Sequence, residues 1–198
     1  MTAPLVSPTT GEAVSVVARR NRLGLIFLVV ADFSGTLALI ISYCYLWSLN
    51  VNNGWAPNNQ TFGNNDLLKS RSPLPWAADW PFWTILVLAV IATVILWMGI
   101  RSLRSDHRGG LIVASVVSLI VMIGAVVLQW WQITTFPFGP GNGAYASAVF
   151  LLTASTLVHL LLVAFLLLAI TNRTRAGLVS VGNPFQAKLV GYWMVWVC

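Results

Sequence analysis

The stretch from residue 111 to residue 128, LIVASVVSLIVMIGAVVL, contains eighteen consecutive residues without a charge and decides the class of fold. A helix needs about 20 predominantly apolar residues to cross a hydrocarbon core of about 30 Å. This stretch reaches that length when it is extended to 111–135, and three further segments match it, at about 23–49, 81–100 and 145–171. The sequence therefore predicts an all-α protein, a polytopic bundle of transmembrane helices.

The composition of the whole chain supports the same class. Of its 198 residues, 58% are hydrophobic and 8% are charged, with a mean hydropathy of +0.80. A soluble domain carries roughly a quarter charged residues, and disordered chains are polar and highly charged, so both classes are excluded. The formal net charge is +6, but the basic residues form no stripe with interleaved aromatics, so no nucleic acid is expected as a partner.

A fifth, shorter helix is expected at 184–198, with Asn183 as its N-cap and Pro184 at its first position. At 1.5 Å per residue it measures only about 22 Å. We therefore expect either further sequence or a partner to cover its end. The predicted organisation is a cytoplasmic N-terminal segment, 1–22, followed by a single transmembrane domain, 23–198, with an outer loop at 50–79.

The positions of Lys and Arg predict the orientation, because cytoplasmic loops carry an excess of them. Nine lie on one side of the predicted bundle: Arg19, Arg20, Arg22, Arg101, Arg104, Arg108, Arg173, Arg175 and Lys188. The other side has only Lys69 and Arg71, both in the 50–79 loop. The N-terminus is predicted to be cytoplasmic, and six tryptophans fall near the outer interface: Trp47, Trp76, Trp80, Trp83, Trp130 and Trp131.

Asp32 and His159 are the ionisable residues that fall inside predicted spans. An ionised carboxylate at that depth costs at least about 3 kcal/mol, so Asp32 should face protein or water, or be protonated. It is either a protonated carboxyl in a helix interface or a functional group that handles protons or organises a lipid or partner. His159, with Ser155 and Thr156 one turn before it, is interpreted as a neutral histidine bonded to a neighbouring helix.

Few residues could support chemistry on this chain alone. A single intramembrane histidine without a second ligand on its helix cannot hold haem or copper, and no nucleophile–base pair is evident. Cys44 and Cys198 have no metal-ligand or disulfide spacing. We therefore predict no catalytic residue, no metal site and no cofactor site on this chain.

Several short stretches occur in an informative order. Gln129, Gln132 and the pair Pro137-Phe138 are followed by GAYASAVF at 143–150 and TASTLVH at 153–159. The first span carries ADF at 31–33 before an aromatic-rich run, and the fifth helix carries Tyr192-Trp193. In this order the stretches resemble subunit III of the haem-copper oxidases, the family that includes cytochrome c oxidase, in its five-helix bacterial form.

The resemblance places Asp32 on the family's intramembrane glutamate and His159 on the second histidine of its Thr-Gly-Phe-His-Gly-Leu-His motif. Tyr192 and Trp193 match the start of its Tyr-Trp-His-Phe-Val-Asp motif. Other positions depart from the family pattern. Thr156 replaces the first histidine and Gln132 an acidic residue. In the motif of the fifth helix, Met194 stands where histidine would be and Trp196 where valine would be. The intramembrane polar candidates are Asp32, His159, Thr156, Gln132, Tyr192 and Trp193.

The resemblance implies a non-catalytic subunit of a terminal respiratory oxidase, which reduces O2 and couples that reaction to proton pumping. Such a subunit supports assembly, lipid binding and sustained turnover. Haem and copper would lie in subunit I, with further copper in subunit II of a cytochrome c oxidase, and any oxidoreductase activity would belong to the complex. The implied partners are subunits I and II and membrane phospholipids, and membership of a respiratory supercomplex stays open. The implied location is the bacterial plasma membrane.

Alternatives remain at this point. The chain could belong to a quinol oxidase or a nitric oxide reductase complex, could be a scaffold that has lost the family's functional positions, or could be an independent proton-linked transporter.

Arg22, Arg101 and Arg104 are candidates for contacting lipid phosphates. Small side chains predict close helix approach on two faces, namely Gly35, Ala38 and Ser42 on one and Ala114, Ser115 and Ser118 on the other.

Overall fold

The computed structural model describes residues 11–49, 76–105, 107–141 and 143–198, without the side chain of Arg104. Its helices are α1 (Val14–Ser48), α2 (Trp80–Ser102), α3 (Arg108–Thr134), α4 (Ala144–Arg175) and α5 (Phe185–Val197), with a short 3-10 turn at Leu103–Ser105. The prediction of an all-α chain with five helices is confirmed for these residues. Most of the predicted outer loop, with Lys69 and Arg71, lies outside them.

Four of the helices, α1 to α4, are long and apolar enough to cross a membrane. The bounds of α2, α3 and α4 fall within a few residues of the predicted spans. Helix α1 begins at Val14, so residues 14–22 of the predicted N-terminal segment are helical and continuous with the helix of the first span. These residues contain no Gly or Pro, and arginine is a good helix former, so the helix has no reason to end at the membrane surface.

Helix α4 ends in a turn that directs the chain back along the bundle. Gly177 has φ +75°, and two hydrogen bonds close the turn, from Leu178 N to Arg173 O (3.0 Å) and from Gly177 N to Thr174 O (3.1 Å). This is the Schellman arrangement, which favours glycine at the left-handed position. Helix α5 then begins at Phe185 with Pro184 as N-cap. The predicted cap, Asn183, instead donates from Nδ2 to the Leu178 carbonyl (3.3 Å).

The core lies between α2, α3 and α4, where small residues allow close packing. Ser118 of α3 donates to the carbonyl of Ala92 of α2 (2.8 Å), and Thr171 of α4 donates to Ser115 of α3 (2.9 Å). Both serines are fully buried. Hydrogen bonds between membrane helices contribute modestly, and close backbone approach adds dispersion. The small-residue face predicted on α3 therefore packs against its neighbours.

The small-residue face predicted on α1 does not pack within the described bundle. Gly35, Ala38 and Ser42 are all exposed, and a Cβ added to Gly35 would meet no atom within 4 Å. The Ser42 hydroxyl donates to the Ala38 carbonyl of its own helix (2.8 Å). Small residues permit close approach but do not enforce it, and α1 instead contacts its neighbours through larger and polar side chains.

We expect Gly99→Ala to destabilise the bundle by about 2 kcal/mol, a typical cost of overpacking. A Cβ on Gly99 would overlap the Ala114 Cβ and lie 3.3 Å from the Leu111 Cα, so α2 and α3 would have to separate. The matched control is Gly124→Ala in α3, because a Cβ there meets no atom within 4 Å. Unfolding in mixed micelles with increasing SDS measures both variants, and equal stability for the two would contradict the prediction.

The two ends of the bundle differ in chemistry. Trp80 and Trp131 lie 5.6 Å apart between ring centroids, and Trp76 lies 5.0 Å from Tyr145, so the start of α2, the end of α3 and the start of α4 form an aromatic end. At the opposite end, Arg20 of α1 and Arg173 of α4 line one cleft. We call this the basic end.

Candidate functional site

Asp32 and His159 are brought together at mid-height of the bundle. Asp32 lies eighteen residues after the start of α1 and sixteen before its end, and His159 lies fifteen and sixteen residues from the ends of α4. The Asp32 Oδ1 and His159 Nε2 atoms are 2.9 Å apart. The side chains are 24% and 21% exposed, respectively, so both are largely removed from solvent and lipid.

Trp196 of α5 completes the site. Its indole Nε1 donates to the other Asp32 oxygen, Oδ2, at 2.6 Å. Helix α5 starts at the basic end, and its eleven-residue rise from Phe185 to Trp196 covers about 17 Å, which brings Trp196 to the height of Asp32. The Phe33 ring meets the Trp196 ring edge-on at 5.9 Å. The carboxyl group of Asp32 therefore links α1 to both α4 and α5.

The hydrogen bonds of His159 constrain its protons. Its Nδ1 lies 2.7 Å from the Ser155 carbonyl oxygen, which can only accept a hydrogen bond. Nδ1 must then carry a proton. The remaining nitrogen, Nε2, either accepts from a protonated Asp32 or, as part of an imidazolium, donates to an ionised one. In both cases the pair shares one proton and has no net charge, which explains how the bundle accommodates an aspartate at this depth.

A cleft of about 290 Å³ opens beside this pair. Its polar lining comes from Thr36 on α1 and from Ser155 and Thr156 on α4, together with Asp32 and His159 themselves. The volume corresponds to several water molecules at about 30 Å³ each. The shared proton of the pair therefore borders a polar space between the helices. We refer to Asp32, His159, Trp196 and this cleft as the Asp32 site.

The other predicted polar residues have different environments. Thr156 lines the cleft and donates to the Leu152 carbonyl of its own helix (3.0 Å). Trp193 is buried, and its ring lies nearly parallel to that of His159 at 6.3 Å. Tyr192 faces away and is half exposed, with its ring edge-on to Trp97. Tyr192, which was predicted as an intramembrane polar candidate, therefore lies outside the Asp32 site.

Gln132 also lies apart from the Asp32 site. It is almost completely buried in the last turn of α3, where its Oε1 accepts a hydrogen bond from Nε2 of Gln129 (3.0 Å). Among the described residues, no hydrogen-bond partner exists for the Gln129 carbonyl oxygen or the Gln132 amide nitrogen. The two side chains form a separate buried amide pair near the aromatic end, and their spacing of three residues places them on one face of α3.

The arginines predicted to contact lipid phosphates do not line a described cleft. Arg22 and Arg101 are exposed, and the Arg104 side chain lies outside the described residues. The basic-end cleft is lined instead by Arg20 and Arg173. Arg173 is tied to α5, because its Nε donates to Oε1 of Gln186 at 2.7 Å.

Trp196 is the functional residue that the sequence interpretation missed. The resemblance to subunit III treats it as a departure, a tryptophan in place of the valine of the Tyr-Trp-His-Phe-Val-Asp motif. A signal was available in its spacing, because Trp193 and Trp196 are three residues apart and therefore share one helix face. An indole is a donor without an acceptor, and a buried carboxyl group needs donors. That complementarity could have paired Trp196 with Asp32.

The described residues contain no group of three or more His, Cys, Asp and Glu side chains that could hold a metal ion. Both cysteines are free. Cys198 contacts Thr93 of α2, with 3.2 Å between Sγ and Oγ1. The contacts of the Asp32 site itself are the hydrogen bonds of Asp32 to His159 and Trp196.

We expect Trp196→Phe to lower stability by about 1 to 2 kcal/mol, because a hydrogen bond contributes about 0.5 to 1.5 kcal/mol between neutral groups and about 1.5 to 3 kcal/mol to a charged group. Phenylalanine retains an aromatic ring next to Phe33 but removes the Nε1 donor to Asp32. Trp83→Phe is the matched control, since Trp83 is 67% exposed at the aromatic end. Unfolding in SDS mixed micelles compares the two, and equal losses would show that the Asp32 bond contributes nothing.

The fold and the site define a polytopic helical membrane protein with a polar, proton-sharing site inside its bundle. No protein-family model matches the chain, and no curated protein matches it.

Proposed function

We propose that this chain is a non-catalytic subunit of a terminal respiratory haem-copper oxidase, of the subunit III type, in the bacterial plasma membrane. The observation that supports this most is the bond between Asp32 and His159. These residues are 127 positions apart in sequence. Each was singled out separately, on a different span, by its match to an intramembrane polar residue of subunit III. Their meeting in one site agrees with those matches, and ionisable groups inside a span need such a partner in any case.

In this role the basic end faces the cytoplasm and the aromatic end faces outward. Haem and copper belong to subunit I, with further copper in subunit II if cytochrome c is the electron donor. The Asp32 site ties α1 to α4 and α5 without a net charge, and it keeps a proton next to a polar cleft. We propose that it maintains the packing of this subunit against subunit I and supports proton supply during sustained turnover.

Purification through an N-terminal tag in mild detergent tests the assignment. The expected eluate contains a larger membrane subunit in equal amount and shows reduced-minus-oxidised haem bands. The band positions and a copper determination then distinguish a cytochrome c oxidase from a quinol oxidase or a nitric oxide reductase complex. A colourless, monodisperse eluate without a partner would overturn the assignment.

We expect Asp32→Asn to leave the complex intact but to shorten its activity during prolonged turnover. The asparagine amide can reproduce the hydrogen bonds of a protonated aspartate but cannot exchange a proton. The measurement is O2 consumption over many turnovers, with haem content per subunit as the control for assembly. Turnover as durable as that of the wild type would refute the proton-linked part of the proposal.

An independent proton-linked transporter is the second candidate, and the cleft of about 290 Å³ beside Asp32 and His159 favours it. Here the pair would relay protons through this chain alone. The purified chain in liposomes would then move protons unaided, and Asp32→Asn would abolish the flux. A subunit of an oxidase should be inactive in that assay, so the two candidates predict opposite results.

A further inference from the structure

Helix α1 is attached to the rest of the bundle along one narrow seam. Within residues 23–49, the half-buried side chains recur at alternating steps of four and three residues, and all the others are exposed. The half-buried ones are Leu25, Val29, Asp32, Thr36, Leu39 and Tyr43. This spacing is that of a single coiled-coil seam. The first two pack against the main core, and the last packs against an aromatic cluster around Tyr145, so apolar contacts hold α1 on both sides of Asp32.

The middle of this seam borders a cleft rather than a packed surface. Asp32 and the two seam residues that follow it line the cleft of about 290 Å³. The contacts described across the cleft start from Asp32 and its neighbour Phe33. Asp32 is hydrogen-bonded to His159 and Trp196, and the Phe33 ring meets the Trp196 ring edge-on. The Asp32 carboxyl group is therefore the polar link between α1 and two other helices at this height.

The backbone of α1 has a weak point next to this link. Ser34 and Gly35 follow Asp32 closely, and serine and glycine pairs are common sites of helix kinks. The Ser34 hydroxyl donates to the Val30 carbonyl of its own helix (2.9 Å), a bond that favours bending. A Cβ at Gly35 would meet no atom within 4 Å, so no neighbouring helix supports this point. We call Ser34-Gly35 the hinge and residues 36–48 the outer half of α1.

The proton shared by Asp32 and His159 determines whether the link holds. Nδ1 of His159 keeps its own proton on the Ser155 carbonyl (2.7 Å), so the contact between Nε2 and Oδ1 needs one further proton. Without that proton two acceptors face each other, and the pair carries a net negative charge that has to be hydrated. The described lining of the cleft contains one other titratable side chain, Cys198, and no Lys or Arg.

We propose that the Asp32 site is a proton-dependent clamp on a hinged α1. With the shared proton in place, Asp32 holds the outer half of α1 against α4 and α5. When the pair loses that proton the link breaks, the outer half bends away at the hinge, and the cleft widens to admit water. A bend of about 20° displaces Tyr45, about 15 Å beyond Gly35, by about 5 Å. The clamp follows from contacts within this chain and does not depend on the oxidase assignment.

Double electron–electron resonance between pairs of spin labels tests the clamp. The purified chain, with any subunits that accompany it, is placed in phosphatidylcholine nanodiscs after both native cysteines are replaced by serine, which also removes the second titratable side chain from the cleft. Labels at Tyr45→Cys and Leu151→Cys report on the outer half of α1. Labels at Phe27→Cys and Phe165→Cys report on the inner half, and all four positions are exposed.

The expected result is specific to one label pair. Raising the pH from about 7 to about 10, a range in which arginine stays charged, removes the shared proton. A population with a distance about 5 Å longer should then appear between the labels at Tyr45→Cys and Leu151→Cys. The distance between the labels of the inner half should stay constant. Unchanged distances in both label pairs would overturn the clamp, and an equal change in both would overturn the hinge.

Two kinds of variant test the clamp and the hinge separately. In Asp32→Asn an amide that does not titrate replaces the shared proton, so the distances should no longer depend on pH. A pH-dependent change that persists in this variant would overturn the clamp. Gly35→Ala stiffens the hinge and should reduce the long-distance population about fivefold, the scale of helix propensity between the two residues. Gly24→Ala is the matched control, because a Cβ there also meets no atom within 4 Å, and equal effects of the two would overturn the hinge.

Discussion

Replacing Asp32 by alanine should destabilise the bundle by about 3 kcal/mol, whereas replacing it by asparagine should change stability by less than about 1 kcal/mol. Alanine removes the acceptor of the Trp196 indole (2.6 Å) and the partner of His159 Nε2 (2.9 Å) in one step. Breaking a buried pair by removing one partner costs about 3 to 5 kcal/mol. The lower end applies here, because the side chains of the pair are 24% and 21% exposed beside the cleft.

Asparagine can restore each bond. The proton on His159 Nδ1 is held by the Ser155 carbonyl (2.7 Å), so a neutral imidazole presents an unprotonated Nε2. The amide nitrogen of asparagine donates to that Nε2, and its carbonyl oxygen accepts from the Trp196 indole. The side chain occupies nearly the same volume as aspartate, so no cavity or overlap arises. The contrast between the two variants therefore isolates hydrogen bonding from packing.

Unfolding in mixed micelles with increasing SDS compares the wild type with Asp32→Ala and Asp32→Asn. Combining each with Trp196→Phe completes a double-mutant cycle, which measures the coupling of Asp32 to the indole. With alanine at position 32 the effect of Trp196→Phe should disappear, since its acceptor is already gone. If Asp32→Asn destabilised the bundle as much as Asp32→Ala, the pair would have to be a charged carboxylate–imidazolium pair, and the neutral alternative would be wrong.

The sequence predicted the class of fold because transmembrane helices are determined by composition and length. Uncharged runs such as 111–135 are long enough to span a bilayer, and only a helix or a closed barrel satisfies the hydrogen-bonding needs of the backbone there. The same argument singled out Asp32 and His159, since ionisable groups inside a span need a specific partner. The identity of that partner was not predictable, because a single sequence does not state which helix faces which.

Positions where contacts depend on the relative rotation of helices could not be read from the sequence. Gly35 and Gly99 both lie on helices among apolar residues, but Gly99 is pressed against Ala114 while Gly35 faces open space. Trp196 looked like a departure from a motif, yet it supplies a donor to Asp32. The start of α1 was predicted less well, because the three arginines among residues 14–22 mark a predicted membrane boundary but do not end a helix.

The buried amide pair of α3 gives the second large effect. Gln132→Leu should destabilise the bundle by about 2 to 3 kcal/mol, because it leaves the Gln129 amide buried without its partner. Gln129→Leu should cost a similar amount for the converse reason. The double variant, with leucine at both positions, should be at least as stable as the wild type. It removes both amides, including the Gln129 oxygen and Gln132 nitrogen that have no hydrogen-bond partner among the described residues.

This non-additivity distinguishes an amide pair from two independent core positions. Independent sites would give a double variant that loses about 4 to 6 kcal/mol, the sum of the single losses, whereas the pair predicts a loss near zero. Unfolding of all four proteins in SDS mixed micelles decides between them. An additive loss would mean that each glutamine bonds to something other than its neighbour, such as a partner subunit that reaches the aromatic end. A neutral double variant would mean that these amides are not retained for stability, which makes the position of Gln132 a place to look for function.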